Sequence, residues 1–306
     1  MALFSDDEVS AQPVVVKTLS EGGDRDVFVM EAERLCRLSH ENIIHCLGVV
    51  VEPGPPMLVL DLMLQQSLRS LLEQTRPSAL QRLTMALDVA SGLAYLQSAA
   101  TVHGALCGRN ILVDDQGRCK VCDIIISVIW DDLGALQISG FAPHKREAHS
   151  MLRWQAPECW MDPPVRTWAS DSWSLGICMH EMYSRTVEAV AGIDDNKLIS
   201  DTRRGARPAM EPACPAPVYS LMVRLWHPCP QFRCVLCPCA VTLQCIGRPT
   251  AALVRDAIEV MCDREDDDTH VLSEVTNGEL HRVYLNATLP DRQKVVLKPH
   301  IAGFSV

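Results

Sequence analysis

The apolar residues of this chain change their spacing at about Ser67. Before that residue, short apolar and β-branched runs bounded by turn residues predict three strands, at 12–19, 40–44 and 57–60. A helical pattern lies between the first two strands, from Asp26 to Leu38. After Ser67 the helical spacing dominates and predicts helices near 68–72, 80–96, 168–186 and 215–227. This order predicts a small strand-rich lobe followed by a larger helical lobe, although spacing alone also fits an unspecified α+β domain.

Composition and charge argue against several classes of protein. The 306 residues carry a formal net charge of −10, whereas a general nucleic-acid surface needs clustered Lys and Arg. No run of about 18 apolar residues predicts a membrane span, and the start of the chain lacks the pattern of a signal peptide. Most of the 14 cysteines, among them Cys36, Cys46 and Cys178, lie singly in apolar runs, which predicts buried thiols in a reducing compartment. We therefore expect a cytoplasmic protein or the cytoplasmic part of something larger.

The segment from Val102 to Leu112 reads V-H-G-A-L-C-G-R-N-I-L. It resembles the catalytic loop of the protein tyrosine kinase family, H-R-D-L-A-A-R-N, whose aspartate accepts the proton of the substrate hydroxyl. Ala105 holds the place of that aspartate, and a methyl group cannot accept a proton. The candidate catalytic residues are His103, Arg109 and Ala105, which stands at the position of the lost base. The resemblance implies a two-lobed α+β kinase-like fold with a truncated β-rich N-lobe and a helical C-lobe.

The same resemblance implies a nucleotide site. Lys17, which ends the run V-V-V-K, matches the lysine that contacts the α- and β-phosphates of ATP, and Glu31 matches its glutamate partner. Asp123, in D-I-I, stands where the metal-binding aspartate of D-F-G is expected. The candidate ATP-binding residues are therefore Lys17, Glu31, Leu60 and Met63 at the hinge, Asn110 and Asp123, and the candidate metal ligands are Asn110 and Asp123.

Further segments match the structural motifs of the family, at 153–158 (R-W-Q-A-P-E), 171–176 (D-S-W-S-L-G) and 214–226. The resemblance, which covers about residues 14–262, implies that Asp171 anchors the backbone of the catalytic loop. Either Arg233 or Arg248 should pair with Glu158, and we favour Arg248 because Pro-Thr follows it. Four residues match an apolar column that joins the two lobes of an active kinase, namely Leu35, Leu47, His103 and Ile124.

Several departures from the family pattern predict that catalysis is lost. Gly104 replaces an arginine that commonly binds a phosphorylated activation loop, and Ile125 replaces the glycine of D-F-G. The activation segment, 126–152, contains no tyrosine. No glycine precedes Lys17, where a phosphate-covering Gly-rich loop is expected. Together with Ala105, these departures predict a nucleotide site without a catalytic base.

We therefore interpret the chain as a pseudokinase that acts as a scaffold or allosteric regulator in signalling. Its expected partners are other protein kinase domains or signalling proteins, and its expected cofactors are ATP and Mg, bound weakly at most. One alternative is a weakly active tyrosine kinase that uses another carboxylate as base, although Asp114 and Asp115 lie beyond the loop. Another alternative is a gene-model fragment without independent function.

Two regions depart from a single kinase domain. The insertion at 234–247 contains Cys234, Cys237, Cys239 and Cys245, but no second well-spaced pair follows, so a zinc site is not expected. An acidic linker at 263–271 leads to residues 272–306, which resemble the first strands of a second kinase-like domain and include V-V-L-K at 295–298. We predict a main domain over 1–262 and a truncated repeat, with donation of the tail strands to the main domain as the alternative.

Overall fold

An antiparallel sheet forms the first part of the chain, in which the strands are β1 (Ala2–Phe4), β2 (Gln12–Thr18), β3 (Cys46–Val50) and β4 (Met57–Asp61). Their spatial order is β1-β2-β4-β3, so β3 pairs only with β4 among the described strands. The predicted strands at 12–19 and 57–60 are confirmed. This computed structural model describes residues 2–4, 12–19, 23–52, 54–63, 66–124, 129–130, 136–137, 151–161, 163–184, 193–230, 233, 255–256, 258–259 and 261–262.

The predicted strand at 40–44 is wrong. Asn42 lies in a turn, where its backbone N–H donates to Nδ1 of His40 and its side chain donates to the carbonyl of Cys119. Ile43 forms a single bridge with Val121. These contacts hold the segment against the helical lobe, and the strand begins only at Cys46 because the backbone of 40–44 is already committed elsewhere.

A β-bulge in β3 changes which side chains are buried. Cys46 lies opposite Leu60, and the next paired residue is Gly48, so Leu47 is the extra residue of the bulge. Cys46 is buried beneath the sheet, whereas Leu47 is only half-buried. The prediction that Leu47 joins the apolar column is therefore wrong, because the bulge shifts the alternation of the strand and places Cys46 inward.

Helix α1 (Arg25–Leu35) packs against this sheet. Asp24 caps it, because its carboxylate accepts the backbone N–H groups of Asp26 and Val27 at 2.9 and 3.1 Å. Its buried face carries Phe28, Glu31 and Ala32. The helix ends three residues before the predicted Leu38, since the chain turns there toward the bridge at Ile43.

The helical lobe contains α2 (Leu68–Gln74), α3 (Ala79–Ser98), α4 (Trp168–Tyr183), α5 (Asp195–Arg203) and α6 (Ala216–Leu225). Capping boxes begin α3 at Ser78 and α4 at Thr167. Sequence spacing did not predict α5, since only Leu198 and Thr202 of this helix are buried. Between α3 and α4 lie the hairpins of β5 (Ile111–Val113) with β6 (Cys119–Val121) and of β7 (Ile129–Trp130) with β8 (Leu136–Gln137).

The buried residues form two apolar clusters, one per lobe. The smaller lies beneath the sheet and includes Phe28, Cys46 and Leu60. The larger is built by α3, α4 and α6 around residues such as Trp226, which is packed so closely against Gly176 that an added Cβ would lie 2.6 Å from the indole nitrogen. Leu35 packs against both clusters. A strand-rich lobe and a helical lobe, as predicted, therefore form a two-lobed α+β fold.

One prediction about the cysteines is wrong. Cys36, which caps the C-terminus of α1, forms a disulfide with Cys46 at the start of β3. Sequence reasoning assigned both as free buried thiols, because it could not foresee that the turn at 37–45 returns the chain to the end of the helix. Cys178 is a buried free thiol, as predicted. Among the described residues, no helix is long and apolar enough to cross a membrane.

Candidate active site

His103 is the centre of the catalytic-loop segment. Its Nδ1 accepts the backbone N–H of Ala105 at 3.2 Å, and its Nε2 lies 3.1 Å from the carbonyl oxygen of Cys122. We assign the proton to Nε2, because Nδ1 must be free to accept. Burial lowers the pKa of His103 to about 4, so the ring is neutral near pH 7. The histidine therefore joins the loop to Cys122, which lies between β6 and Asp123.

Asp171 holds the backbone of the same loop from α4. Its two carboxylate oxygens accept the backbone N–H groups of His103 at 2.7 Å and of Gly104 at 2.9 Å. Burial raises the pKa of Asp171 to about 7, although both N–H groups act in the opposite direction. The structure thus places Asp171 where the resemblance implied, as the anchor of the loop.

Two residues of the site have left-handed backbone conformations. Gly104 has φ of +73° and Asp123 has φ of +55°. Glycine adopts this region without a steric penalty, and aspartate is among the residues that tolerate it best. The glycine at 104 therefore has a conformational role in addition to the loss of a cation that the sequence indicated.

Ala105 is the residue that the resemblance aligns with the catalytic base. Its side chain is only 3% exposed and belongs to the apolar cluster of the helical lobe. The backbone around it is fully bonded, since the side-chain amide of Asn110 donates to the Ala105 carbonyl at 2.8 Å. The N–H of Cys122 donates in turn to the carbonyl of Asn110 at 2.9 Å. Arg109 lies beside the loop, 6.0 Å from the ring of Trp154.

Lys17 and Asp123 bring the two lobes together at the candidate nucleotide site. The ammonium group of Lys17 donates to Oδ1 of Asp123, and both side chains are partly exposed, at 42% and 46%. Glu31 is buried on α1. Among the ion pairs of the described residues, Lys17 pairs with Asp123 and not with the implied partner Glu31, since Lys17 reaches across from β2 to the segment after β6.

The hinge residues lie where the sequence suggested, at the end of β4. Leu60 is buried and lies opposite Val15 of β2 and Cys46 of β3. Met63 is half-buried and packs against the apolar cluster beneath the sheet. Both residues therefore line the junction of the two lobes on the sheet side.

Of the two arginines predicted as the partner of Glu158, Arg233 forms the ion pair, and the preference for Arg248 is wrong. Arg233, fully buried, donates to both carboxylate oxygens of Glu158, with Nη2 at 2.8 Å from Oε2. Arg233 also donates to the carbonyls of His227 and Pro228, at 2.6 and 3.2 Å. The short turn after α6 brings Arg233 directly to Glu158, so both oxygens are already bonded, whereas Arg248 lies outside the described residues.

Sequence reasoning also missed a stacked group around Trp173. The guanidinium carbons of Arg207 and Arg233 lie 4.8 and 4.9 Å from the centre of its ring. Burial lowers the pKa of Arg207, and the charge of Arg233 adds to the effect. The only signal in the sequence was an Arg-Pro before α6, which does not reveal a contact with a tryptophan on α4.

Several predicted features fall outside the described residues: Ile125, most of the activation segment, the cysteines at 234–245, the linker and the tail. Among the residues that are described, no group of three or more His, Cys, Asp or Glu could hold a metal ion. Asp114, considered as a substitute base, closes the turn between β5 and β6, where Oδ1 accepts the N–H groups of Gln116 and Arg118. Oδ2 of Asp114 pairs with Arg118, so both carboxylate oxygens have partners within this turn.

Comparison with known proteins agrees with this geometry. The sequence model of the family described as protein tyrosine and serine/threonine kinase matches residues 2–243. The chain is 30% identical to mouse leukocyte tyrosine kinase receptor over 73% of its length, and 32% identical to human ephrin type-A receptor 1 over 70%. It is 30% identical to human tyrosine-protein kinase Srms over 72%. The chain spans 26%, 22% and 44% of these relatives' lengths. An anchored catalytic loop between two lobes, together with these matches, shows that the chain belongs to the protein tyrosine and serine/threonine kinase family.

Proposed function

We propose that this kinase domain is a pseudokinase, which acts as a scaffold or allosteric regulator of other kinase domains or signalling proteins. The observation that carries the proposal is Ala105, whose methyl group lies in the apolar cluster at the position of the base. General-base catalysis contributes on the order of 10²–10⁴-fold to a rate. Because the backbone of the loop is fully bonded around Ala105, local rearrangement would break several hydrogen bonds before another side chain could take its place.

The same geometry supports weak binding of ATP and magnesium. Asp123 and Asn110 offer a carboxylate and an amide oxygen, the type of ligand that Mg²⁺ prefers. Donation by the Asn110 amide nitrogen to Ala105 leaves the amide oxygen available. Lys17 would contact the phosphates, and Leu60 and Met63 would contact the base. The Lys17–Asp123 ion pair must open or rearrange for this binding, which favours low affinity.

Thermal denaturation with and without Mg-ATP tests the nucleotide part of the proposal. We expect a small rise in Tm that Lys17→Ala abolishes, because the phosphates lose their cation. Lys197→Ala is the matched control, since Lys197 is an exposed lysine that pairs with Asp201 on α5. A rise in Tm that both variants retain would contradict a nucleotide site at Lys17. If Mg-ATP does not raise the Tm of the wild type, the scaffold role would not involve nucleotide binding.

Transfer of labelled phosphate to a tyrosine peptide tests the catalytic part. We expect no transfer by the wild type above the level of an Asp123→Asn variant. Transfer by the wild type that Asp123→Asn abolishes would overturn the pseudokinase proposal and favour a weakly active tyrosine kinase. Ala105→Asp is the informative companion variant, because a gain of transfer would show that the rest of the site is competent.

The organisation beyond this domain is also a proposal. We propose that residues 272–306 begin a second kinase-like domain. We also propose that this chain lies inside the cell, either as a cytoplasmic protein or as the intracellular part of a receptor. Two of the relatives are receptors by name, and the chain covers about a quarter of each. Association with a second kinase domain, measured by co-purification of the full chain with candidate kinases, would test the scaffold role.

A further inference from the structure

A single covalent bond joins helix α1 to the sheet. Cys36 caps the C-terminus of α1, Cys46 begins β3, and their Cα atoms lie 4.7 Å apart. The buried face of α1 and Cys46 belong to the same apolar cluster, which also contains Leu58 and Leu60 of β4. The bond therefore lies where the helix, the edge of the sheet and the hinge strand meet.

The two sulfurs differ in their access to solvent. Cys36 is half-buried at the end of the helix, whereas Cys46 is buried beneath the sheet. A small oxidant or an external thiol can therefore reach Cys36 first, and Cys46 is in place to react second. This is the arrangement of a reactive cysteine beside a resolving cysteine.

Six other described cysteines are buried free thiols, and a seventh, Cys229, is a half-buried free thiol; the buried ones are Cys107, Cys119, Cys122, Cys159, Cys178 and Cys214. Burial raises the pKa of the Cys119, Cys122 and Cys178 thiols, which keeps them protonated and poorly reactive. Disulfide formation within the described part of the chain would therefore be selective for the pair that is already adjacent.

We propose that Cys36 and Cys46 form a reversible redox clasp that controls how firmly α1 is held against the sheet. In the oxidised protein, the clasp fixes the end of the helix to β3, which is otherwise held in the described sheet by β4 alone. In the reduced protein, packing of residues such as Phe28 and Ala32 holds this end of α1 without the covalent link. Since Glu31 lies on the same buried face, the clasp sets the position of that carboxylate relative to the candidate nucleotide site.

The oxidant we propose is a peroxide. The thiolate of Cys36 attacks one oxygen of hydrogen peroxide, the O–O bond breaks, and one water leaves after protonation, which gives a sulfenic acid. Sγ of Cys46 then attacks Sγ of Cys36, and a second water leaves as the S–S bond forms. Two thiols lose two electrons and two protons while peroxide is reduced to two waters. A dithiol reductant reverses the reaction by exchange, starting at Cys36.

The test compares full-length protein reduced with dithiothreitol and the same protein oxidised with hydrogen peroxide. Peptide mapping should show Cys36 and Cys46 as free thiols in the first and as one linked pair in the second. We expect a Tm higher by about 5–10 °C in the oxidised protein, the size given by closing a short loop in a domain of this size. Backbone amides of α1 should exchange with solvent at least about tenfold more slowly in that state.

Cys46→Ser should abolish both differences, whereas the control Cys229→Ser, at a half-buried free cysteine, should retain them. If Cys46→Ser does not fold, the Tm and the amide exchange of oxidised and reduced wild-type protein still test the proposal, because that comparison needs no variant. Thiols that remain free at both positions after peroxide treatment would overturn the proposal. A linked pair with unchanged Tm and unchanged exchange of α1 would also overturn it, since the bond would then control nothing.

Discussion

Two ion pairs of this molecule differ in almost every physical respect. The Lys17–Asp123 pair at the candidate nucleotide site is partly exposed, with side chains 42% and 46% accessible. The Arg233–Glu158 pair in the helical lobe is nearly inaccessible, with side chains 0% and 9% exposed. Water screens the first pair and competes for both its partners, whereas burial excludes water from the second pair. The buried pair thus belongs to the core of the helical lobe, whereas the pair at the candidate nucleotide site is screened and weak.

The sharpest way to test this contrast is to break each pair by the same change. Arg233→Met should lower the free energy of unfolding by about 3–5 kcal/mol, because Glu158 would remain as a buried carboxylate without its bidentate partner. Lys17→Met should change it by less than about 1 kcal/mol, since the pair is exposed. Urea denaturation of both variants measures the difference. Similar losses in the two variants would contradict the contrast.

The stability of the protein should depend on pH through Asp171, the anchor of the catalytic loop, and through His103. The pKa of Asp171 is raised to about 7 in the folded protein, so this residue contributes stability at low pH that is lost as pH rises from about 4 to 7. The pKa of His103 is lowered to about 4, so His103 contributes stability above pH 6.5 that is lost as pH falls toward 4. The two dependences oppose one another across the same range.

Asp171→Asn removes the first of these dependences. We expect the variant to be less stable by about 1–3 kcal/mol near neutral pH, because the amide cannot accept both backbone N–H groups. Between pH 4 and 6.5 its stability should rise more steeply with pH than that of the wild type. Urea titrations at several pH values compare the slopes, and parallel slopes would show that Asp171 titrates normally.

A smaller expected effect than that of Arg233→Met concerns Gly104. Substitution by arginine, the usual family residue, should cost about 1–2 kcal/mol, because φ of +73° is unfavourable for a residue with a Cβ. Gly48→Ala is the control, since no atom lies within 4 Å of a Cβ added there and its φ is not in the left-handed region. Thermal unfolding measures both. A Gly104→Arg variant as stable as wild type would mean that the loop adapts.

The secondary-structure elements also differ in how well the sequence predicted them. The strand pattern of β2 and β4 and the long apolar helices α3 and α4 were predictable, because burial of one face imposes a regular spacing. Helix α5, with two buried residues, gave no such signal. The false strand at 40–44 has an apolar run like a strand, but its backbone is used by a turn and by contacts with β6.

The candidate site shows the same division at the level of single residues. The identities of Ala105, Asn110, Asp123 and Asp171 followed from the order of motifs along the chain. Their partners did not follow, since a pairing between residues far apart in sequence depends on how the elements pack. Arg233 rather than Arg248 reaches Glu158 because the turn after α6 is short, and Cys46 rather than Leu47 faces inward because of one bulge.

The sequence by itself determined that position 105 carries no carboxylate, which is the basis of the proposal that this kinase domain has no catalytic base. The order of its motifs also indicated the family, and that resemblance implied the two-lobed α+β fold, which the spacing of apolar residues alone left open. Only the tertiary structure decided the partners: Lys17 with Asp123, Arg233 with Glu158, and Cys36 with Cys46. Those contacts join residues tens to a hundred positions apart or across a turn, and their geometry is set by packing of whole elements, which no local pattern records.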